Sequence, residues 1–528
     1  MKALYRYIPS PIYEKLKSLN LPPNQLQKLI CIIHIIYVPS IYKNKRDEYM
    51  KNGYAEITSD FLKNIDRNYS SLIAILERHK IIEFISGKID RTANKFRLNP
   101  SLMDYVNPFG CKVEITDIDL KTKIIKRYNK FNVTKKAPHI KAMEAHFRST
   151  FRIQVDDCIQ IVDDWYQNMI KDNNSIDEII FYNNKYIAYK YPLLQMNDGL
   201  YYYKRNATNY RIDTNLTNLG KVFKEFIINA DDLIQIDISN SQPFFISCIF
   251  KAIRDGNRNY TKYFTEEGRK RIKDINRFEF DKFTQEAANG RFYECLMKLA
   301  RIDSRDDAKN AAYAVMFSKN NTNERMKKIF KSSFPTISNA IELLKNFHID
   351  ISPNKDGHAR FAILLQRVEA KIFIDNICRQ LTERGIGVYT IHDSVLVKKE
   401  FVDDVQSIIQ SVFTDEFGIA PNTKTDLFGS KKQSLEDMLY GIKYEEGKVL
   451  KMLKEKDFEV FNVNGVYHVL TNTGTFHITE NQNLRYPDSK QYKYYNIGAI
   501  SKILIKANNT PKDNSIDIDD DFTQLLAS

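Results

Sequence analysis

Two acidic residues are set where chemistry would use them. Asp237 ends the apolar run Leu233-Ile234-Gln235-Ile236 and is followed by Ile238-Ser239-Asn240-Ser241-Gln242-Pro243. Far downstream, Gly387-Val388-Tyr389-Thr390-Ile391-His392-Asp393-Ser394-Val395-Leu396-Val397 places Asp393 in a second β-rich run. A lone carboxylate in such a setting is costly unless something compensates it. A shared divalent cation would do so, because carboxylate oxygens are hard ligands that suit Mg²⁺. Taken singly, Asp237 reads equally well as a strand-end turn residue, and His392-Asp393 as an ordinary turn.

Other residues fall in a fixed order around this pair. Arg211-Ile212-Asp213-Thr214-Asn215-Leu216-Thr217-Asn218-Leu219 is a polar loop with one Arg and two Asn. Arg305, Lys309, Tyr313 and Phe317 recur every four residues, on successive turns of one helix side. A further helix with Gln366, Arg367 and Glu369 precedes Asp393. Two close carboxylates can hold two divalent ions about 3.5–4 Å apart, one on an attacking hydroxyl and one on a leaving phosphate. Arg and Lys on neighbouring turns offer donors to a triphosphate, and the aromatics beyond them a face for base and sugar. Each piece alone is ordinary: a solvated helix side, loop caps, a surface Gln. Their joint order points to nucleotidyl transfer.

That order resembles the palm and fingers of family A DNA polymerases and the related single-subunit RNA polymerases of phages and mitochondria. Asp237-Ile238-Ser239 is similar to the Asp-Tyr-Ser of motif A, and His392-Asp393-Ser394 to motif C. Arg305, Lys309, Tyr313 and Phe317 resemble motif B. Asn215-Leu216-Thr217-Asn218-Leu219, with Arg211 before it, resembles the family's Asn-Leu-Gln-Asn-Ile loop, and Phe334-Pro335 its aromatic-Pro after the fingers. The likeness spans roughly residues 205–415, and it is the set rather than any one motif that carries it. It implies that Asp237, Asp393 and the Ile238 carbonyl hold two Mg²⁺, with the two carboxylates catalytic. Arg305 and Lys309 would bind the triphosphate, Tyr313 and Phe317 would pack the nucleotide, and Gln242 would guard its sugar. Arg211, Asn215, Asn218, Gln366 and His392 would position primer and template.

The chain also departs from the family. Gln242 stands where the DNA enzymes carry a Glu that blocks the ribose 2′-hydroxyl. Phe317-Ser318 replaces Tyr-Gly, so the phenol that could sense ribose is missing. Ser394 follows the RNA polymerases, and Tyr313 sits where many DNA polymerases have Phe. The Asn-Leu-x-Asn loop tips the balance to DNA synthesis. Upstream no carboxylate cluster suggests a 3′–5′ exonuclease.

The elements that must position these residues follow from composition and period. The 528 residues are 43% hydrophobic and 27% charged, which suits a globular chain of several cores. A formal charge of +13 favours a polyanionic partner. Cys31, Cys111, Cys158, Cys248, Cys295 and Cys378 are scattered, which argues for a reducing compartment and against a zinc site. No secretory signal or membrane-length apolar run is present, so a soluble, cytoplasmic, nucleic-acid-associated protein without membrane contact is expected.

The expected fold class is α+β, a right-hand polymerase with a palm antiparallel sheet and helical fingers. Residues 1–110 read as a winged helix-turn-helix-like DNA-binding domain, with helix Tyr69–Lys80 entering a major groove and Lys88, Arg91 and Lys95 on phosphates. Residues 111–205, after a hinge-like Asn107-Pro108-Phe109-Gly110, read as a basic, thumb-like helical region. Nine Lys/Arg stand there against one acid, Glu144, between Lys121 and Thr150, while Ile179–Tyr182 and Tyr186–Tyr189 look β-like. Residues 206–445 hold the palm and fingers, and 446–528 a β-hairpin extension with an acidic tail from Asp513 that could dock a protein partner.

The expected activity is that of an exonuclease-free, DNA-directed nucleotidyltransferase acting on primer-template and nucleoside triphosphates, in replication of a plasmid, phage or mobile element. The rivals are an RNA polymerase or primase on the same palm, and a catalytically inactive DNA-binding regulator.

Overall fold

The structure is a computed structural model. It describes the chain apart from residues 1–2, 39–53, 86–93, 130–131, 134, 172–174, 347, 353–354, 429–434, 443–447, 464–465, 480–482, 488–492, 495–496 and 510–528. The fold is mostly helical with several small antiparallel sheets. Two compact units form, each from separated stretches: residues 1–125, 162–189 and 439–528 in one, 126–161 and 190–438 in the other. Among the described residues no helix is long and apolar enough to cross a membrane.

In the first unit, helix Pro23–Tyr37 is opened by Pro at its first turn and buries Leu29 to Ile33 and Ile36. Strand Ala55–Ile57, helix Ser59–Leu62 and helix Tyr69–Arg78 follow, then strands Ile82–Ile85 and Asn94–Leu98. Asn94–Leu98 lies between the other two strands. The Asn107–Gly110 turn, expected as a hinge, is instead tied down by packing: Phe109 touches the rings of Tyr7, Tyr37 and Tyr186.

The run expected as two strands, 179–182 and 186–189, is a single helix, Ile176–Asn197. Tyr182, Tyr186 and Tyr189 are four and three residues apart, which on a helix gathers them on one face. There Tyr186 stacks on Tyr166 at 4.1 Å, and Tyr182 and Tyr189 meet the buried Trp165 edge-on. This tertiary packing outweighs the strand preference of aromatic residues.

Strands Val460–Val463, Val466–Thr471, Gly474–Thr479, Asn483–Arg485 and Lys493–Tyr494 form an antiparallel meander. Val469, Phe476, Ile478 and Leu484 pack with Val449 and Leu453 of helix Lys448–Glu455 and Ile500 and Leu504 of helix Ile497–Asn509. The acidic tail expected to dock a partner lies outside the described residues.

The second unit is built on a four-stranded antiparallel sheet in the order Thr423–Leu427, Leu233–Ile238, Ser394–Lys398, Tyr389–Ile391. Alternation along Leu233–Ile238 buries Ile234, Ile236 and Ile238 and turns Leu233, Gln235 and Asp237 to the other face. Helices Ser241–Arg254 and Val402–Phe417 pack against each other below it, joining Phe244, Phe245 and Phe413 in one aromatic cluster with Phe373. Helix Gly357–Ile372 packs on both Ser241–Arg254 and Arg305–Phe317. The end of Arg305–Phe317 is capped by the buried Lys345, whose ammonium donates to the carbonyls of Val315 and Ser318.

Candidate active site

Strand pairing brings the two carboxylates to one edge. Asp237 is in register with Ser394, so Asp393, at the second position of the two-residue His392-Asp393 turn, lies one residue beyond it. Both flanks hold unusual backbone: His392 has φ +55° and Asn240 φ +54°, a region that side-chain-bearing residues seldom occupy and that clusters at functional sites. Asn422 fastens the strand end: its carbonyl accepts from the Ser239 N–H at 2.9 Å, and its own N–H donates to Ala288 at 2.7 Å.

Burial, first, and then the Asp393 charge push the Asp237 carboxyl up to about 6; its Gln235 hydrogen bond, 3.0 Å from Nε2 to Oδ2, opposes this. The same Gln235 amide reaches Ser394 Oγ at 3.2 Å. Among the described residues no three His, Cys, Asp or Glu side chains gather as a metal site, so the two aspartates stand as a pair.

Behind the pair is a buried ionic group. Glu369, with no solvent exposure, accepts Nε and Nη2 of Arg211 at 2.7 Å each, and Gln242 Nε2 at 3.2 Å. Burial raises the Glu369 carboxyl to about 7, against the opposing pull of Arg211. Arg211 thus faces a carboxylate with its fork. Asn215 is buried and bonds the backbone of Tyr202 and Leu200 with both ends of its amide. It acts as an internal brace for the loop, and the capping box of Thr214 and Thr217 stiffens the same turn. Asn218 is exposed and donates to the Tyr202 hydroxyl. Gln366 accepts from Asn209 at 3.2 Å.

Arg305, Lys309, Tyr313 and Phe317 share helix Arg305–Phe317, capped by the Ser304 side chain. The two cations are exposed. Arg305 pairs with Glu294 at 2.7 Å and sits 5.0 Å from the Tyr293 ring centre. Lys309 lies 5.6 Å from the Tyr313 ring, which meets Phe317 edge-on at 5.5 Å. Burial raises the phenols of both Tyr293 and Tyr313, and the Asp393 charge acts in the same direction.

Sequence reasoning missed Tyr293 and Glu294, and it saw Glu369 only as a helix position. Nothing local marks them, because their partners are distant in the chain.

Helix Pro138–Thr150, from the basic stretch, supports the Asp393 hairpin. The Thr150 and Tyr389 hydroxyls are 2.5 Å apart, and the His146 ring packs on Tyr389 at 4.9 Å. His139 and Arg205 both bind Asp375, Arg205 through two bonds of 2.6 Å. Of the basic residues, Lys136 and Arg148 pair with Glu144, while Lys123, Lys126, Lys135 and Lys141 are exposed. A Cβ on Gly387 would stand 2.3 Å from the His146 ring. Gly387→Ala is thus expected to cost about 1–2 kcal/mol by prising the helix from the hairpin, read as a lower denaturation midpoint. An unchanged midpoint would show that the ring gives way freely.

No protein-family model matches the sequence, and no curated protein matches it. Among solved structures, the POL domain of Pol1 from M. smegmatis, in complex with DNA primer-template and dNTP, is similar at a TM-score of 0.33 and 8% identity. That similarity covers 59% of this chain and 73% of the other.

Proposed function

We propose that this chain is a template-directed nucleotidyltransferase, a DNA polymerase of the family A type without a 3′–5′ exonuclease. The observation that carries the reading is the carboxylate pair: Asp237 at a strand end, in register with the residue that follows Asp393. Burial and mutual repulsion leave this pair short of positive charge, which suits hard divalent cations. Asp237, Asp393 and the Ile238 carbonyl would hold two Mg²⁺. Bound there, such ions favour deprotonation of an attacking hydroxyl and neutralise a leaving pyrophosphate.

The other residues bind and orient. Arg305 and Lys309, exposed on one helix side, attract the triphosphate, and Glu294 and the Tyr293 face keep Arg305 extended toward it. Tyr313 and Phe317 form the aromatic wall for the nucleotide, with Gln242 beside its sugar. Asn218 and His392, both exposed, are left for primer and template, while Arg211, Asn215 and Gln366 shape the loop that bears on them.

In the first unit, the helix–turn–helix of Ser59–Leu62 and Tyr69–Arg78 with its three-stranded sheet suits a winged-helix DNA contact. Ser70, Ser71, Ala74 and Arg78 are its exposed groove-facing set. Lys95 lies on the adjoining strand; Lys88 and Arg91 fall outside the described residues.

Primer extension with Mg²⁺, comparing dNTPs with NTPs on primed and unprimed templates, tests the reading. Extension of a primed template by dNTPs is expected, with at least about a thousandfold loss in Asp393→Asn. Synthesis only from NTPs without a primer would instead establish a primase. Extension that survives Asp393→Asn would overturn the role of the pair.

A further inference from the structure

Helix Arg305–Phe317 ends without the glycine that commonly closes a helix. Ser318 follows it in extended conformation, φ −91° and ψ 161°, and its N–H donates to Ala314 at 3.3 Å. Among the described residues no backbone N–H reaches the carbonyls of Val315 and Ser318. One side chain from another element takes both: the Lys345 amine, 3.0 Å from the Ser318 oxygen. Lys345 is 5% exposed, so its stem runs through the interior to reach them. Burial, and then the Lys327 charge, lower its amine to about 7. Two carbonyls need only two N–H bonds, which a neutral amine has as well as an ammonium, so the contact holds in either state.

The Lys345 backbone is pinned as well. A Cβ on Gly357 would stand 1.5 Å from the Lys345 carbonyl oxygen, so only glycine lets helix Gly357–Ile372 begin there. The two ends of helix Arg305–Phe317 are thus held by different groups. Ser304 caps the start and Glu294 pairs with Arg305, while Lys345 holds the end, where Phe317 lies against Tyr313.

We propose that Lys345 is a positioning residue for the nucleotide: it sets where Tyr313 and Phe317 stand and leaves Arg305 and Lys309 to their own supports. This rests on the nucleotidyl-transfer reading, in which those aromatics pack the nucleotide and those cations bind its triphosphate. Without the amine two carbonyls at the helix end lose their donor, and turning the last turn toward water is the way to satisfy them. Such a shift moves the aromatic end and spares the cationic start.

The test is equilibrium binding of Mg²⁺-dNTP and of Mg²⁺-tripolyphosphate, which has no base or sugar, with kcat and KM for single-nucleotide addition. In Lys345→Met the Kd and KM for dNTP should rise about tenfold, and the Kd for tripolyphosphate should stay within about twofold of the wild type. Lys345→Gln, which keeps an N–H donor, should show a smaller rise, and it serves if the Met variant does not fold. Hydrogen exchange should quicken around Ser318 and change little around Arg305.

Equal weakening of both ligands would show that Lys345 serves the fold as a whole, and would overturn its positioning role. An unchanged dNTP affinity in an active Lys345→Met enzyme would overturn it too, while leaving nucleotidyl transfer standing. A wild type that neither extends primers nor binds either ligand would remove both readings at once.

Discussion

Asp237→Asn is expected to stabilise the metal-free protein at pH 7.5 and to reduce Mg²⁺-dependent extension by about a thousandfold or more. Both effects come from one cause. In the folded chain the Asp237 carboxyl is pushed up to about 6, chiefly by burial and then by Asp393. Unfolded, it would titrate near the ordinary aspartate value of about 3.9. Between those values the folded state binds more protons than the unfolded state, so stability falls as pH rises through that window. Above it the full cost of the buried charge is present. Discounted for partial exposure, that cost is about 1–2 kcal/mol, or a Tm gain of roughly 2–4 °C for the neutral amide in a large domain. The gain should shrink at pH 5 and be absent near pH 4. Adding Mg²⁺ should raise the wild-type Tm and leave that of the variant nearly unchanged. A stabilisation independent of pH, or a variant as responsive to Mg²⁺ as the wild type, would contradict this account.

Arg211→Ala carries the largest expected loss of stability, about 3–5 kcal/mol. Glu369 has no solvent exposure, and the guanidinium supplies two of its three hydrogen bonds. Removing the cation leaves a buried carboxylate that must either stay charged without compensation or take up a proton. The double variant Arg211→Met/Glu369→Leu removes both charges together and should recover most of the loss, because replacing an intact buried pair with apolar groups is often nearly neutral. Denaturant midpoints of the two single variants and the double decide the matter. A loss below about 1 kcal/mol in Arg211→Ala would mean that water reaches Glu369.

The same pair shows how far the chain could be read without its fold. Asp237 and Asp393 announce themselves through local pattern: each is an acid set into an alternating apolar run, and strand periodicity needs only neighbours. Helix Arg305–Phe317 is legible for the same reason, because a four-residue spacing fixes one side of a helix. In helix Ile176–Asn197 the tyrosine spacing serves either period, and only packing on Trp165 and Tyr166 decides between them.

Residue types and spacing by themselves single out Asp237 and Asp393, and the cations and aromatics four apart on one helix, as candidates for a common chemistry. What only the tertiary structure decided is how those groups are held and what they are free to do. Arg211 and Asn215 look in the sequence like ligands for nucleic acid. In the fold one is locked to Glu369 and the other to the backbone of Leu200 and Tyr202. Glu369 and Tyr293 carry no local mark. Hydrogen bonds and buried charges join residues far apart in the chain, and their partners are set by packing, which no short stretch of sequence contains.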